Sequence, residues 1–225
     1  MCIRDRFNAL GDSIILLTYF KTYKTEVVYY NRAEFTTLTT LAELFGVTLP
    51  KFIQTPERIE YDMTDVLVSL TKDKAPLISM EGHTPSDYET IQLGSSKQAS
   101  CDRNITMEEA LPFLQTENIK DAEKETTLEG LVKLLKGSCN HVSMDSGTAW
   151  LSSALNVPTS VVSKNSYYWH EAYYYMRYLQ IQNSVNSITP AIKIATEQEY
   201  SKAIKDNKVA APYNYQTYKA LTNKI

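Results

Sequence analysis

The chain has 225 residues, of which 43% are hydrophobic, with 26 acidic and 23 basic side chains mixed along its length. That is enough apolar material for one ordinary domain or two small ones sharing a cleft. A formal charge of −3 without any basic block argues against a nucleic-acid partner, and the longest strongly apolar run, Ile14 to Leu17 with Tyr19 and Phe20 behind it, is far shorter than the roughly 20 residues a transmembrane helix needs.

At the start, residues 1–5 (MCIRD) are charged and unpatterned, whereas from Phe7 onward the chain reads like the interior of a fold, so a truncated or artefactual beginning is expected. No secretory signal pattern is evident. Cys2, Cys101 and Cys139 are widely spaced, without the short spacing of a zinc or redox site, and read as reduced cytosolic thiols. His83, His141 and His170 share no metal-ligand spacing, and no Asp-x-Asp pair offers a seat for a divalent metal, so no metal or cofactor is expected.

The first patterned segment is Gly11-Asp12-Ser13, a glycine turn opening a helix over 12–23 that is apolar nearly all round. Asp12 or Ser13 would cap that helix; a second reading puts the Asp12 carboxylate at a cleft as a general base. A strand over 26–30 and a helix over 34–45 follow, then a strand over 76–80. The polar stretch 81–87 (EGHTPSD) suggests a domain boundary, dividing the chain into 1–83 and 84–225.

Past that boundary a strand over 90–93 leads into Gly94-Ser95-Ser96-Lys97 and on to Arg103. Lys97 and Arg103 are either solvated loop cations or ligands for a diphosphate, Arg by a forked pair of hydrogen bonds and Lys as a point charge. Thr106 with Glu109 forms a capping box, although Pro112 should shorten or kink the helix behind it. Thr126 with Glu129 forms another, with Leu128, Leu131, Val132 and Leu135 at helical spacing before Gly137.

The next unit, HVSMDSGTAWLSSALNVPTSVV, reads as a strand over 141–144, a turn through Asp145, Ser146 and Gly147, a helix to about Asn156, and a strand over 159–162. The helix N-terminus presents unpaired N–H groups that suit a phosphate, with Gly147 allowing close approach. Equally, Asp145 and Ser146 serve as plain helix caps. A Tyr-rich segment over 167–178 has the spacing of a packed helix, and Thr196 with Glu199 opens a last one. Strands alternating with helices predict an α/β fold with parallel sheets, best divided into two Rossmann-like halves. GxGxxG, GxxxxGK[ST] and GxSxG are all missing, which leaves dinucleotide, P-loop and α/β-hydrolase readings without their fingerprints.

Taken together, RFNALGDSIILLTYFK and HVSMDSGTAWLSSALNVPT resemble the two signature regions of the heptosyltransferase-like glycosyltransferases, family 9. In that family a first strand enters a Gly-Asp turn opening the first helix, and a later strand enters Asp-[Ser/Thr]-Gly before a helix and a Val-Pro-Thr-like strand start. The resemblance implies a GT-B architecture with an abbreviated first half holding the acceptor and a second half holding a nucleotide-diphosphate sugar. It further implies inverting, metal-independent transfer to a glycan or lipid-linked acceptor, in the cytoplasm or at the inner face of the membrane. Asp12 matches the catalytic base, Ser146 and Gly147 match the donor-binding turn with Asp145 and Thr148 beside them, and Arg103 falls near the cation on the leaving diphosphate. Three departures stand out: Thr148 and Trp150 replace the family's usual Pro and His, the first strand has no counterpart before Arg6, and no Gly-Gly strand lies between Leu114 and Thr126. The alternative is a non-catalytic nucleotide-sugar-binding or interaction protein that keeps the fold.

Overall fold

The computed structural model describes residues 9–30, 35–55, 66, 69–70, 73, 75–80, 82–94, 104–144, 146–162 and, as backbone, 186–188. The expected helices at 167–178 and after Thr196 lie outside these residues.

Helix α1 spans Leu10–Tyr23 and buries Ser13 through Thr18 together with Phe20, as its apolar circumference requires. Its N-cap is Ala9, with no side-chain cap bond. Neither Asp12 nor Ser13 caps the helix, contrary to the sequence expectation: Leu10 and Gly11 are drawn into helical turns by their packing, leaving Asp12 in the first turn and Ser13 buried. Strand β1 (Val27–Tyr30), helix α2 (Thr36–Phe45) and strand β2 (Lys51–Gln54) follow. β1 and β2 pair in parallel, Val28 opposite Phe52, in a two-stranded sheet. Gly46 closes α2 in the left-handed conformation, φ 61°.

Residues 76–80 are not a strand. Leu77 and Ile78 are buried, but their segment's backbone bonds run to helices: Ile78 N–H donates to Thr18 Oγ1 (3.2 Å) and Met80 N–H to the Ala154 carbonyl (2.9 Å). The apolar content that suggested a strand is real, and its polar backbone is satisfied without a ladder.

The second sheet begins with β3 (Glu89–Gln92). Helix α3 (Met107–Ala110) carries the expected capping box, Glu109 N–H to Thr106 Oγ1 and Thr106 N–H to Glu109 Oε2, and Pro112 turns its continuation into a short 3-10 segment, Leu111–Phe113. β4 (Ile119–Asp121) runs into a 3-10 turn, Ala122–Lys124. The cap of helix α4 (Leu128–Lys136) is Thr127, whose hydroxyl accepts from Gly130 N–H at 3.0 Å, one residue later than the box read around Thr126; Gly137 ends the helix as expected. β5 (His141–Met144), α5 (Gly147–Ala154), β6 (Thr159–Val162) and β7 (Asn186–Ile188) complete the described elements.

All five strands of this sheet are parallel, in the order β4-β3-β5-β6-β7. From β3 the chain moves outward to β4, then returns to the other side of β3 with β5. The protein is thus a mixed α/β molecule with parallel sheets, and its strand order reverses between β3 and β5. One core cluster joins α1, α2, α4 and α5 through residues such as Leu17, Leu38, Leu135 and Leu151; a second packs Ile91, Val142, Met144 and Val162 against Ile105 and Ala110 on the other face of the sheet.

Candidate functional site at the strand-order reversal

Strands alternate their side chains between faces, and in this sheet the alternation separates chemistry. Ile91, Val142, Met144 and Val162 form the apolar face, while Thr90, Gln92, His141 and Thr159 point toward α5. Parallel strands buried on both faces normally read as apolar runs. Here Thr90, Gln92, His141 and Thr159 are all hydrogen-bonded on the α5 side, and Val161 adds an apolar contact there.

His141 is the hub. It is completely buried, with Nδ1 2.9 Å from Thr90 Oγ1 and Nε2 3.0 Å from Thr148 Oγ1. Burial pushes its pKa down to about 3, opposed in part by a hydrogen bond at Thr90, so the ring is neutral at physiological pH. On one side the chain continues from Thr90 to Ser138 Oγ (3.0 Å), and Ser138 donates to the Asn140 carbonyl (2.5 Å). Asn140 Nδ2 donates to Glu89 Oε1 (2.7 Å), and the other Glu89 oxygen accepts Gln115 N–H (2.6 Å) and Thr116 N–H (2.8 Å). Three donors thus satisfy a carboxylate with no exposed surface.

On the other side, Thr148 donates to Gln92 Oε1, Ser146 Oγ lies 3.0 Å from both Gln92 Oε1 and Thr148 Oγ1, and Gln92 Nε2 donates to the Gly94 carbonyl (2.9 Å). Gln92 and Ser146 stand at the carboxyl ends of β3 and β5, where the strand order reverses. In open parallel α/β sheets this is the crevice in which ligands bind. Ser146 holds the N-cap position of α5 but makes no cap bond, its hydroxyl being turned to Gln92. The plain-cap reading of Ser146 is therefore not what its side chain does.

The two glycine turns meet at this edge. A Cβ on Gly11 would lie 3.5 Å from Gly147 Cα and 3.0 Å from the Trp150 ring, and one on Gly147 would lie 2.9 Å from Leu10 Cβ and 3.1 Å from the Gly11 nitrogen. The N-termini of α1 and α5 are in contact, and glycine at 147 serves that contact. Asp12, half-buried in the first turn of α1, lies next to it in sequence. Of the residues expected to act, Asp12, Ser146, Gly147 and Thr148 gather in this region; Lys97, Arg103 and Asp145 lie outside the described residues. Sequence reasoning missed Gln92, Thr90 and His141. The polar positions alternating in ETIQ and HVSM were the available signal.

A cavity of ≈ 1100 Å³ opens elsewhere, lined by Tyr88, Lys120, Lys133, Lys136 and residues of α2. None of Gln92, Ser146 and Gly147 lines it. Among the described residues no group of three or more His, Cys, Asp or Glu could hold a metal ion, and no described helix is long and apolar enough to cross a membrane.

Fold and site together define a parallel-sheet α/β protein with a polar crevice at its strand-order reversal. No family model, curated protein or solved structure matches the chain.

Proposed function

We propose that the protein is a glycosyltransferase of the two-half GT-B kind that moves a sugar from a nucleotide-diphosphate donor to an acceptor hydroxyl, inverting and without a metal. The observation that carries the reading is the contact of Leu10 and Gly11 with Gly147, which joins the two regions whose residues resemble the family signatures. In this reading Asp12 takes the proton from the acceptor hydroxyl as its oxygen attacks the anomeric carbon and the nucleoside diphosphate leaves. The N-terminus of α5 offsets charge on the leaving diphosphate, a role the sequence also offers to Lys97 and Arg103. The acceptor is a glycan or lipid-linked, and the protein works in the cytoplasm or peripherally at the inner membrane face.

A second reading, a non-catalytic nucleotide-sugar-binding protein, is favoured by one observation: the Ser146 and Thr148 hydroxyls are held by Gln92 and His141 rather than turned outward. Thermal stabilisation by a panel of nucleotide sugars, followed by assay of nucleoside diphosphate release, separates the two. Stabilisation without release, unchanged in Asp12→Asn, favours the binding protein.

A further inference from the structure

An internal carboxylate already occupies an anion seat at the crevice. β4 runs beside β3, and Asp121 Oδ1 at its end accepts the Glu123 N–H at 2.9 Å, which carries the Ala122–Lys124 turn across the end of β3. Glu123 Oε1 there accepts both the Leu93 N–H (3.1 Å) and the Gly94 N–H (2.6 Å). Successive backbone N–H groups converging on one oxygen form an anion-binding concavity. The fit is close, since a Cβ on Gly94 would lie 3.2 Å from that same oxygen. Through its carbonyl Gly94 also holds Gln92 Nε2, and Gln92 holds Ser146, so the amide pair is continuous with the rim of the crevice. The Glu123 bonds are solvent-exposed, so the side chain can swing out without opening the core.

We infer that Glu123 is an internal competitor for ligand phosphate: its carboxylate holds the Leu93 and Gly94 amides until a phosphate oxygen displaces it. The inference rests on the reading of this crevice as a diphosphate site. Any ligand using these amides binds more weakly by the fraction of time Glu123 holds them. Removing the carboxylate should therefore strengthen binding, an effect that a merely structural strand-end contact would not give.

The test is calorimetric titration of inorganic pyrophosphate into the full chain, wild type, Glu123→Ala, Glu123→Gln and Glu125→Gln. Glu123→Ala is expected to bind roughly tenfold tighter, the scale of a charge-assisted hydrogen bond lost to competition, with Glu123→Gln between it and wild type. Glu125→Gln removes a neighbouring charge without touching the amides and is expected to stay within about twofold of wild type. Equal or weaker binding by Glu123→Ala, or no binding by any form, overturns the inference; if Glu123→Ala does not fold, Glu123→Gln decides by the same criterion. Pyrophosphate tightening with no nucleoside diphosphate binding would sink the glycosyltransferase reading alone. Nucleoside diphosphate binding that Glu123→Ala leaves unchanged would sink this inference alone.

Discussion

Gly147 packs against Leu10 so closely that a methyl group on residue 147 would sit 2.9 Å from the Leu10 Cβ and 3.1 Å from the Gly11 nitrogen. The two helix starts that carry the functional reading are joined by this contact, and it can be probed by volume alone. Alanine in a helix is ordinarily more favourable than glycine by about 1 kcal/mol. Gly147→Ala should instead destabilise the protein by about 1–3 kcal/mol, because neither Leu10 Cβ nor the Gly11 backbone is a flexible chain end that can move aside. Urea unfolding measures this, and a stabilised variant would show that α1 and α5 are not in contact.

Thr148→Val keeps the shape of a side chain that is only 7% exposed while removing its hydroxyl. His141 Nε2 then loses its partner, and Gln92 Oε1 loses one of its two donors. The expected cost is about 1–3 kcal/mol, the penalty for leaving a buried polar group unsatisfied. Denaturant titration of the single variant reads it. A neutral result would mean that water replaces the hydroxyl and that the polar face is open to solvent.

His141 makes stability depend on pH. In the folded chain its pKa lies at about 3, against 6.5 for the unfolded side chain, so between those values the unfolded state binds more protons. Stability is held above pH 6.5 and lost as pH falls toward 3. By pH 5 this one group should account for about 2 kcal/mol of loss relative to pH 7. His141→Gln lacks it, so the gap between wild type and variant should narrow by about that amount from pH 7 to pH 5. Parallel stability curves would show that the ring is not buried neutral.

Glu89 has no exposed surface and accepts from two backbone N–H groups and Asn140 Nδ2. Glu89→Gln places an amide NH₂ among donors, since one of its two heads must face Gln115 and Thr116 or Asn140. A loss of about 3 kcal/mol is expected, as for breaking a buried charged network. Thermal unfolding provides the check.

The features that proved legible in the sequence were local ones. β5 and β6 fall where they were expected because short β-branched or apolar runs are bounded by Asn140, Pro158 and the Ser146-Gly147 turn, and the Thr106–Glu109 box formed as its spacing requires. β2 (KFIQ) and β4 (IKD) were missed because each is short, carries charge, and is held by a parallel neighbour far away in sequence. Residues 76–80 misled in the opposite sense, their apolar side chains being needed by α1 and α5 while their amides were bonded outside any ladder. The Ser146-Gly147 turn was visible as a site because strand, glycine and helix adjoin. Its partners Gln92 and His141 left only alternating polar positions as a signal, since the pairing of β3 with β5 alone brings them together.

The central claim, that Asp12 is the base of a glycosyl transfer at this crevice, is tested most directly by measuring nucleoside diphosphate release from a panel of nucleotide sugars with wild type and Asp12→Asn. Asn keeps the size of the side chain, and the first-turn charge it removes is worth about 0.3–1 kcal/mol to α1, so the fold should persist. The expected result is release by wild type with at least one donor, a fall of about 10²–10⁴-fold in Asp12→Asn, and donor binding retained in the variant. Release that survives Asp12→Asn would contradict the role of Asp12, and binding of a nucleotide sugar without release by either protein would contradict the claim of transfer.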